Sequence, residues 1–216
     1  MKIGVIVALD GEFEQMKKLL GGRNEGRLGK NEIILHKSGI GKVNAALEAV
    51  SLIDGYPLDC LISTGVAGGL DPSLKCRDMV AASEVVYHDV WCGEGNEYGQ
   101  VQGFPPRFKG NTILYCKALE TGARGGLVCS GDRFVNTSGE ARAILEHFPE
   151  GIAVDMESGA IAQTCFLHDV PFLSLRIISD VAGENHQGDY DNFWESLADG
   201  SFEAIRGFLL SLPGEL

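Results

Sequence analysis

The stretch from Gly151 to Gly183, GIAVDMESGAIAQTCFLHDVPFLSLRIISDVAG, constrains the fold of this chain more than any other. A short apolar run at Ile152 to Val154, helical periodicity from Glu157 to His168 and a longer apolar run from Pro171 to Ile178 read as strand, helix and strand. Such a unit is a βαβ crossover, which joins parallel strands. Asp155, Glu157 and Asp180 then fall just past the carboxyl end of a strand, the edge at which parallel α/β sheets bind ligands. Any one of these acids alone reads as a charge favouring a helix N-terminus or as the start of a loop. The three together, with Arg176 close by, read as a site.

The rest of the chain alternates in the same way. Lys2 to Ala8 is an apolar first strand, and the acidic loop Asp10-Gly11-Glu12 leads into a helix from about Glu12 to Leu20. Arg23 to Leu28 and Glu32 to Lys37 flank Gly29-Lys30-Asn31 as a hairpin. A helix follows Gly39-Ile40-Gly41 and runs through Ile53, with Val43, Ala46, Leu47 and Val50 on one face. Leu58 to Ser63 is a buried strand that runs into the glycine-rich stretch Thr64 to Gly69. Met79 to His88 is a further strand, Asn111 to Glu120 a helix and Gly126 to Cys129 a strand. Ser138 reads as the N-cap of a helix to about His147. A closing helix spans about Asn192 to Leu210, with Phe193, Leu197, Phe202, Ile205 and Leu209 as its core face. The predicted architecture is α/β, a three-layer αβα domain with a central sheet made mixed by the early hairpin, and 1–216 form a single domain.

Composition narrows the function classes. A net charge of −12 disfavours nucleic acid and anionic membranes, since both need a basic face. The first apolar run is only seven residues and ends in an acid, so a cytoplasmic protein is expected. The six cysteines are dispersed without a C-x-x-C pair, which points to reduced, mostly buried thiols and away from a metal or disulfide framework. No cofactor is expected. Gly39-x-Gly41 has Asn44 where a dinucleotide fingerprint needs its third glycine, and Gly41-Lys42 is followed by Val43 where a P-loop needs a hydroxyl. Ser130 lacks the first glycine of a nucleophile elbow. His88 and Asp89 are adjacent on a strand and point to opposite faces.

Five segments that fall at strand ends form a recognisable set: SGIGKVNAA (Ser38 to Ala46), STGVAGGL (Ser63 to Leu70), CSGDRFV (Cys129 to Val135), VDMESGAIA (Val154 to Ala162) and RIISDVA (Arg176 to Ala182). In order, over nearly the whole chain, they resemble the purine nucleoside phosphorylase and nucleosidase superfamily. With VALDGEFE (Val7 to Glu14) and YGQVQGFP (Tyr98 to Pro105), the resemblance is strongest to its methylthioadenosine/S-adenosylhomocysteine nucleosidases.

The resemblance implies a phosphorylase/hydrolase-like fold and cleavage of an N-glycosidic bond, with Glu12 as general base for water and Asp180 as the acid that protonates adenine N7. A free Asp has a pKa of about 3.9, so this role asks for a dry, anionic neighbourhood. Glu157 matches the group that binds the ribose hydroxyls, with Met156 against the sugar. Phe134 and Val135 match the base pocket, and Gly68 a point of close backbone approach. Arg176 is expected to orient the site. Ile40 and the Tyr98 to Phe108 segment match the pocket for the 5′-substituent, the segment coming from the second subunit of a homodimer. Its aromatics, Tyr98, Phe104 and Phe108, also call for a cover on an irregular surface. Three departures bear on the substrate: Val66 in place of a small hydroxyl residue, Asp155 shorter than the usual Glu, and Gln102 where some relatives are apolar. A phosphorylase, a nucleosidase acting on futalosine or other nucleosides, and a non-catalytic nucleoside-binding protein stay open as alternatives. Against phosphate as nucleophile stand the acids of Asp10 to Glu14, since like charges about 4 Å apart repel by roughly 4 kcal/mol at an effective dielectric of about 20.

Overall fold

The first strand, β1 (Lys2–Val7), is buried at every residue after Lys2 because it runs parallel between two others, β3 (Asn31–Lys37) and β4 (Cys60–Gly69). The structure, a computed structural model, describes residues 1–181 and 202–216. All nine described strands join one mixed sheet. The hairpin expected at Gly29 is present: β2 (Glu25–Leu28) pairs antiparallel with β3, and Gly29 takes a φ of +60°. The remaining strands are β5 (Met79–Tyr87), β6 (Phe108–Lys109), β7 (Arg124–Ser130), β8 (Gly151–Asp155) and β9 (Phe172–Val181).

Alternation along the strands sorts the core into layers. Ile3, Val5 and Val7 face the helices α1 (Asp10–Leu19), α3 (Thr112–Glu120) and α6 (Glu203–Ser211). Ile6, Ile34 and Leu61 face α2 (Lys42–Gly55) and α5 (Ser158–Leu167). A smaller cluster under α4 (Ser138–His147) joins Ile144 and Phe148 to Leu127 and Val154. This is the expected three-layer α/β arrangement. Of the expected closing helix, α6 is the described part, with Ile205 and Leu209 buried. Phe193 and Leu197 lie outside the described residues, as do Ala182 and Gly183.

Several expectations are corrected. The strand expected to end at Ser63 continues through the glycine-rich stretch to Gly69. Along one edge β4 pairs with β1 at Cys60 to Ser63 and then antiparallel with β8 at Gly68 and Gly69, while its register with β9 shifts at Ala67/Gly68. Its other edge carries β9 in parallel, so β4, β9, β5, β7 and β8 form a closed ring of pairings. The stretch from β8 to β9 is therefore no crossover between parallel strands: β8 is antiparallel to β4 and β9 parallel to it. Asp155 and Asp180 are inside their strands, near the ends, and not beyond them.

On α2 the buried stripe is Ala45, Ala49 and Leu52, while Val43 is 70% and Leu47 66% exposed. Hydrophobicity alone chose the wrong face, because close approach to the sheet and to α5 selects small side chains. The N-cap of α4 is Thr137, whose hydroxyl accepts from the Glu140 amide, and not Ser138. Cys76, Cys92 and Cys116 are exposed, so only half the thiols are buried. The aromatics of the Tyr98 to Phe108 segment are partly covered from within the chain. Tyr98 stacks on His147 at 3.7 Å, Phe108 is buried, and Phe104 packs against Phe108 and Phe166. No described helix is long and apolar enough to cross a membrane.

Candidate active site

The carboxyl-terminal ends of β1, β4, β8 and β9 converge on a cleft of about 630 Å³, part of it open to solvent. Glu12, Ile40, Gly68, Phe134, Val135, Met156, Glu157 and Asp180 all line it, together with Val66 and Asp155. Eight of the nine residues expected at the site are thus brought together. Arg176 is the exception: it is 1% exposed and lies behind the wall.

Glu12 is placed by the first turn of α1. At the third helical position its Oε2 reaches back to the amides of Ala8 and Leu9, each at 2.9 Å, while Oε1 accepts from the Val66 amide at 2.8 Å. Three orphan donors are satisfied by one buried carboxylate. Burial pushes its pKa up, and the amides of Leu9 and Val66, the Arg176 charge and the Ala8 amide act against that rise. Gly65 makes the approach possible. A Cβ there would lie 2.4 Å from Glu12 Oε1 and 3.0 Å from an Arg176 guanidinium nitrogen, on a backbone with φ of +144°.

Arg176 occupies the face of β9 opposite Leu175 and Ile177, and so shares its surroundings with α5. Its Nε pairs with Asp155 Oδ2 at 2.8 Å, and the guanidinium donates to the hydroxyls of Ser63 at 2.8 Å and Ser158 at 2.9 Å. The Ser158 hydroxyl also bonds the Asp155 carboxylate and lies 2.6 Å from Ser174 Oγ. A buried ion pair repays its desolvation only when such extra bonds satisfy both partners. Asp155, not Asp180, is therefore the partner of Arg176, and the short Asp reaches both the guanidinium and the start of α5.

Glu157 caps the space between α5 and α2. Its Oε1 accepts from the Gly41 amide at 3.0 Å. Burial raises its pKa to about 7; Arg176 opposes the rise, Asp155 adds to it, the Gly41 amide opposes it, and Glu12 adds to it. Three carboxylates, Glu12, Asp155 and Glu157, thus surround one guanidinium.

Asp180 pairs with Gly68 across β4 and β9, and its Oδ1 lies 2.6 Å from the Ser179 hydroxyl. A Cβ at Gly68 would stand 3.7 Å from Asp180 Oδ2 and 3.2 Å from Val154, so a side chain there would narrow the approach to the acid. Opposite, Phe134 is 47% exposed and Ile40 51% exposed at the mouth, and Val135 is buried behind them.

Sequence reasoning missed Ser158 and Ser63 as partners of Arg176, Ser174 as the partner of Ser158, and Gly41 and Gly65 as the backbone points that receive Glu157 and Glu12. The glycines lie in the quoted motifs and carry positive φ, which is the signal available; nothing in the sequence aims a serine hydroxyl at a guanidinium. Lys75 and Arg77 are exposed and do not line the cleft. Ser130 and His88 are buried away from it.

Residues 2–209 match the model of the phosphorylase superfamily. A 5′-methylthioadenosine/S-adenosylhomocysteine nucleosidase of Exiguobacterium sp. is 38% identical, covering 95% of this chain and 96% of its own. That of Geobacillus kaustophilus is also 38% identical, over 97% of each. Among solved structures, the nucleosidase of Colwellia psychrerythraea in complex with adenine superposes with a TM-score of 0.92 at 33% identity, covering 100% of this chain and 97% of that one. The Neisseria meningitidis enzyme in complex with methylthio-immucillin-A gives 0.90 at 38% identity, over 98% and 99%. The fold, the strand-end cleft and these likenesses agree: the chain belongs to the phosphorylase superfamily, in its family of 5′-methylthioadenosine/S-adenosylhomocysteine nucleosidases.

Proposed function

We propose that the protein hydrolyses the N-glycosidic bond of 5′-methylthioadenosine and S-adenosylhomocysteine, releasing adenine and the 5-thio-substituted ribose. The observation that carries this reading is the use of one strand to bring two carboxyls to one cleft. On β4 the amide of Val66 holds Glu12, and two residues on, Gly68 gives access to Asp180. The names of the relatives agree with it, as do adenine and a methylthio nucleoside analogue in the related structures.

On this reading the bond between the anomeric carbon and the adenine nitrogen breaks with its electron pair passing to the base. Asp180 gives adenine a proton at N7. Water adds to the anomeric carbon and yields a proton to Glu12, whose anion is supported by three amides and by Arg176. Glu157 accepts from the ribose hydroxyls and offsets the positive charge that develops on the sugar. Met156 packs on the ribose, Phe134 stacks on adenine with Val135 behind it, and Ile40 meets the 5′-substituent. Arg176 acts from behind the wall, through Asp155 and the field it exerts on both glutamates. Phosphate is disfavoured as nucleophile because the described lining carries four acids and one cation, Arg133, itself paired with Glu140. Incubation with methylthioadenosine, with and without phosphate, should give adenine and the free sugar at equal rates. A 1-phosphorylated sugar, or a rate that needs phosphate, would overturn hydrolysis.

The enzyme on this reading is a cytoplasmic homodimer. Its free thiols suit a reducing compartment. The face that asks for a second copy is α2 with the end of α5, where Val43, Leu47, Phe166 and Leu167 are each more than half exposed. Sedimentation at micromolar concentration should show a dimer, and Leu47→Glu should dissociate it; a fully active monomer of the parent chain would sink the assembly.

A further inference from the structure

We infer that Asp132, with Lys42 and Asp89, forms a clasp that fixes the distance between the two walls of the cleft, making Asp132 a positioning residue for a ligand that touches both. The inference rests on the proposed nucleoside substrate. One wall is the start of α2, which carries Ile40 and gives Glu157 the Gly41 amide. The other is the loop after β7, which carries Phe134 and Val135.

Four hydrogen bonds close a circuit between them. The Lys42 amide donates to Asp132 Oδ1 at 2.7 Å, and the Asp132 amide donates to Asp89 Oδ2 at 2.8 Å. Lys42 Nζ returns to both oxygens of Asp89, at 3.0 and 2.9 Å. Segments far apart in sequence are thus joined by two backbone amides, which act on the walls directly, and by one ammonium at the end of the Lys42 side chain. Gly41 shows that this approach is built in. Its φ is +92°, and a Cβ there would stand 2.9 Å from Asp132 Oδ1.

The loop's ties to Asp155 and Glu140 do not set this distance. The Gly131 amide donates to the Asp155 carbonyl at 3.0 Å, which anchors the loop to its own side of the sheet. Arg133 and the Asn136 amide both engage Glu140, which closes the loop on α4. Asp132 reaches across. The side chains of Lys42 and Asp89 are about a quarter exposed, so the pair adds little to global stability. A charge-assisted bond to a backbone amide is directional, however, so its loss changes the spacing of the walls, and with it the affinity for a ligand that must touch both, more than it changes the fold.

The test separates a ligand that touches both walls from one that touches a single wall. Methylthioadenosine spans from Phe134 to Ile40; free adenine lies against Phe134 and Val135. For Asp132→Ala, KM for methylthioadenosine should rise about ten-fold, the worth of one charge-assisted bond. Its kcat should stay within about threefold and inhibition by adenine within about twofold, while Asp132→Asn, which keeps an oxygen for the Lys42 amide, should restore KM. Lys42→Met keeps its amide and loses the Asp89 arm, so a smaller rise of about threefold is expected, and it serves if Asp132→Ala does not fold. An unchanged KM in Asp132→Ala or Lys42→Met, an equal loss of adenine binding, or Asp132→Asn behaving like Ala would overturn the clasp and leave the reaction standing. A parent enzyme that does not cleave methylthioadenosine would overturn both.

Discussion

Glu12 and Glu157 face the same cleft, both are more than nine-tenths buried, and burial pushes both carboxyls upward, yet their surroundings differ in kind. Glu12 is met by three backbone amides from two separate elements, the turn before α1 and the strand β4. Glu157 has one, from Gly41, and is repelled by Asp155. Amides of the main chain hold an anion in one place whatever the side chains do. Glu12 is thus held as a fixed acceptor. Glu157, poised to about 7, has room for new donors, which is what a ribose diol would bring.

The comparison breaks most plainly at Glu12. Glu12→Gln should lower kcat toward the upper end of the range for a lost general base, about 10⁴-fold, with KM little changed. Glu157→Gln should instead raise KM as well; equal kcat losses with KM untouched in both variants would erase the distinction. Next comes the third carboxyl. Asp180→Asn should cost roughly 10³-fold in adenine release while a bound nucleoside analogue is retained, and an undiminished rate would remove Asp180 from the reaction. Smaller again is Gly65→Ala, whose Cβ would collide with Glu12 Oε1 and displace the base without altering it. About 10²-fold is expected for such a shift, and full activity would mean that Glu12 is not rigidly held.

The smallest effect is on stability. Between about pH 4.5 and 7 the unfolded chain is ionised at position 157 while the folded chain keeps the proton. The folded state then binds more protons, so this group makes stability fall as pH rises through that window, by up to about 1.4 kcal/mol per unit. Glu12 acts in the same direction. Denaturant titrations of the parent and of Glu157→Gln should differ in slope across the window; parallel curves would show that Glu157 ionises normally.

Much of this was legible in the chain. Strands announced themselves where apolar runs are uninterrupted, as in Lys2 to Val7, and the hairpin at Gly29 by its turn chemistry. The cleft residues were legible because each stands in a short motif at a strand end. What escaped was what depends on direction. The glycine-rich stretch to Gly69 continues the strand past Ser63, where β4 changes partners, with β8 antiparallel and β9 parallel to it. The apolar face of α2 was inverted, since hydropathy does not say which stripe must be small. Arg176 and Asp180 are four residues apart, which alternation alone would put on one face of β9; the extra residue Ser179 at the register shift breaks that alternation, and Arg176 meets Ser158 and Asp155.

The register shift between Ala67 and Gly68 carries a consequence for how this site can change over time. Val66 holds Glu12 through its amide, so its side chain can be exchanged for another of similar bulk without touching that bond. Chain length is another matter. Removing or adding one residue between Val66 and Gly68 would exchange the two sides of the strand beyond that point and carry Gly68 away from Asp180. The descendants of such a sequence can exchange the side chain at position 66 for another of similar bulk and keep the bond to Glu12, but they are bound in length: a gap at this point should abolish activity.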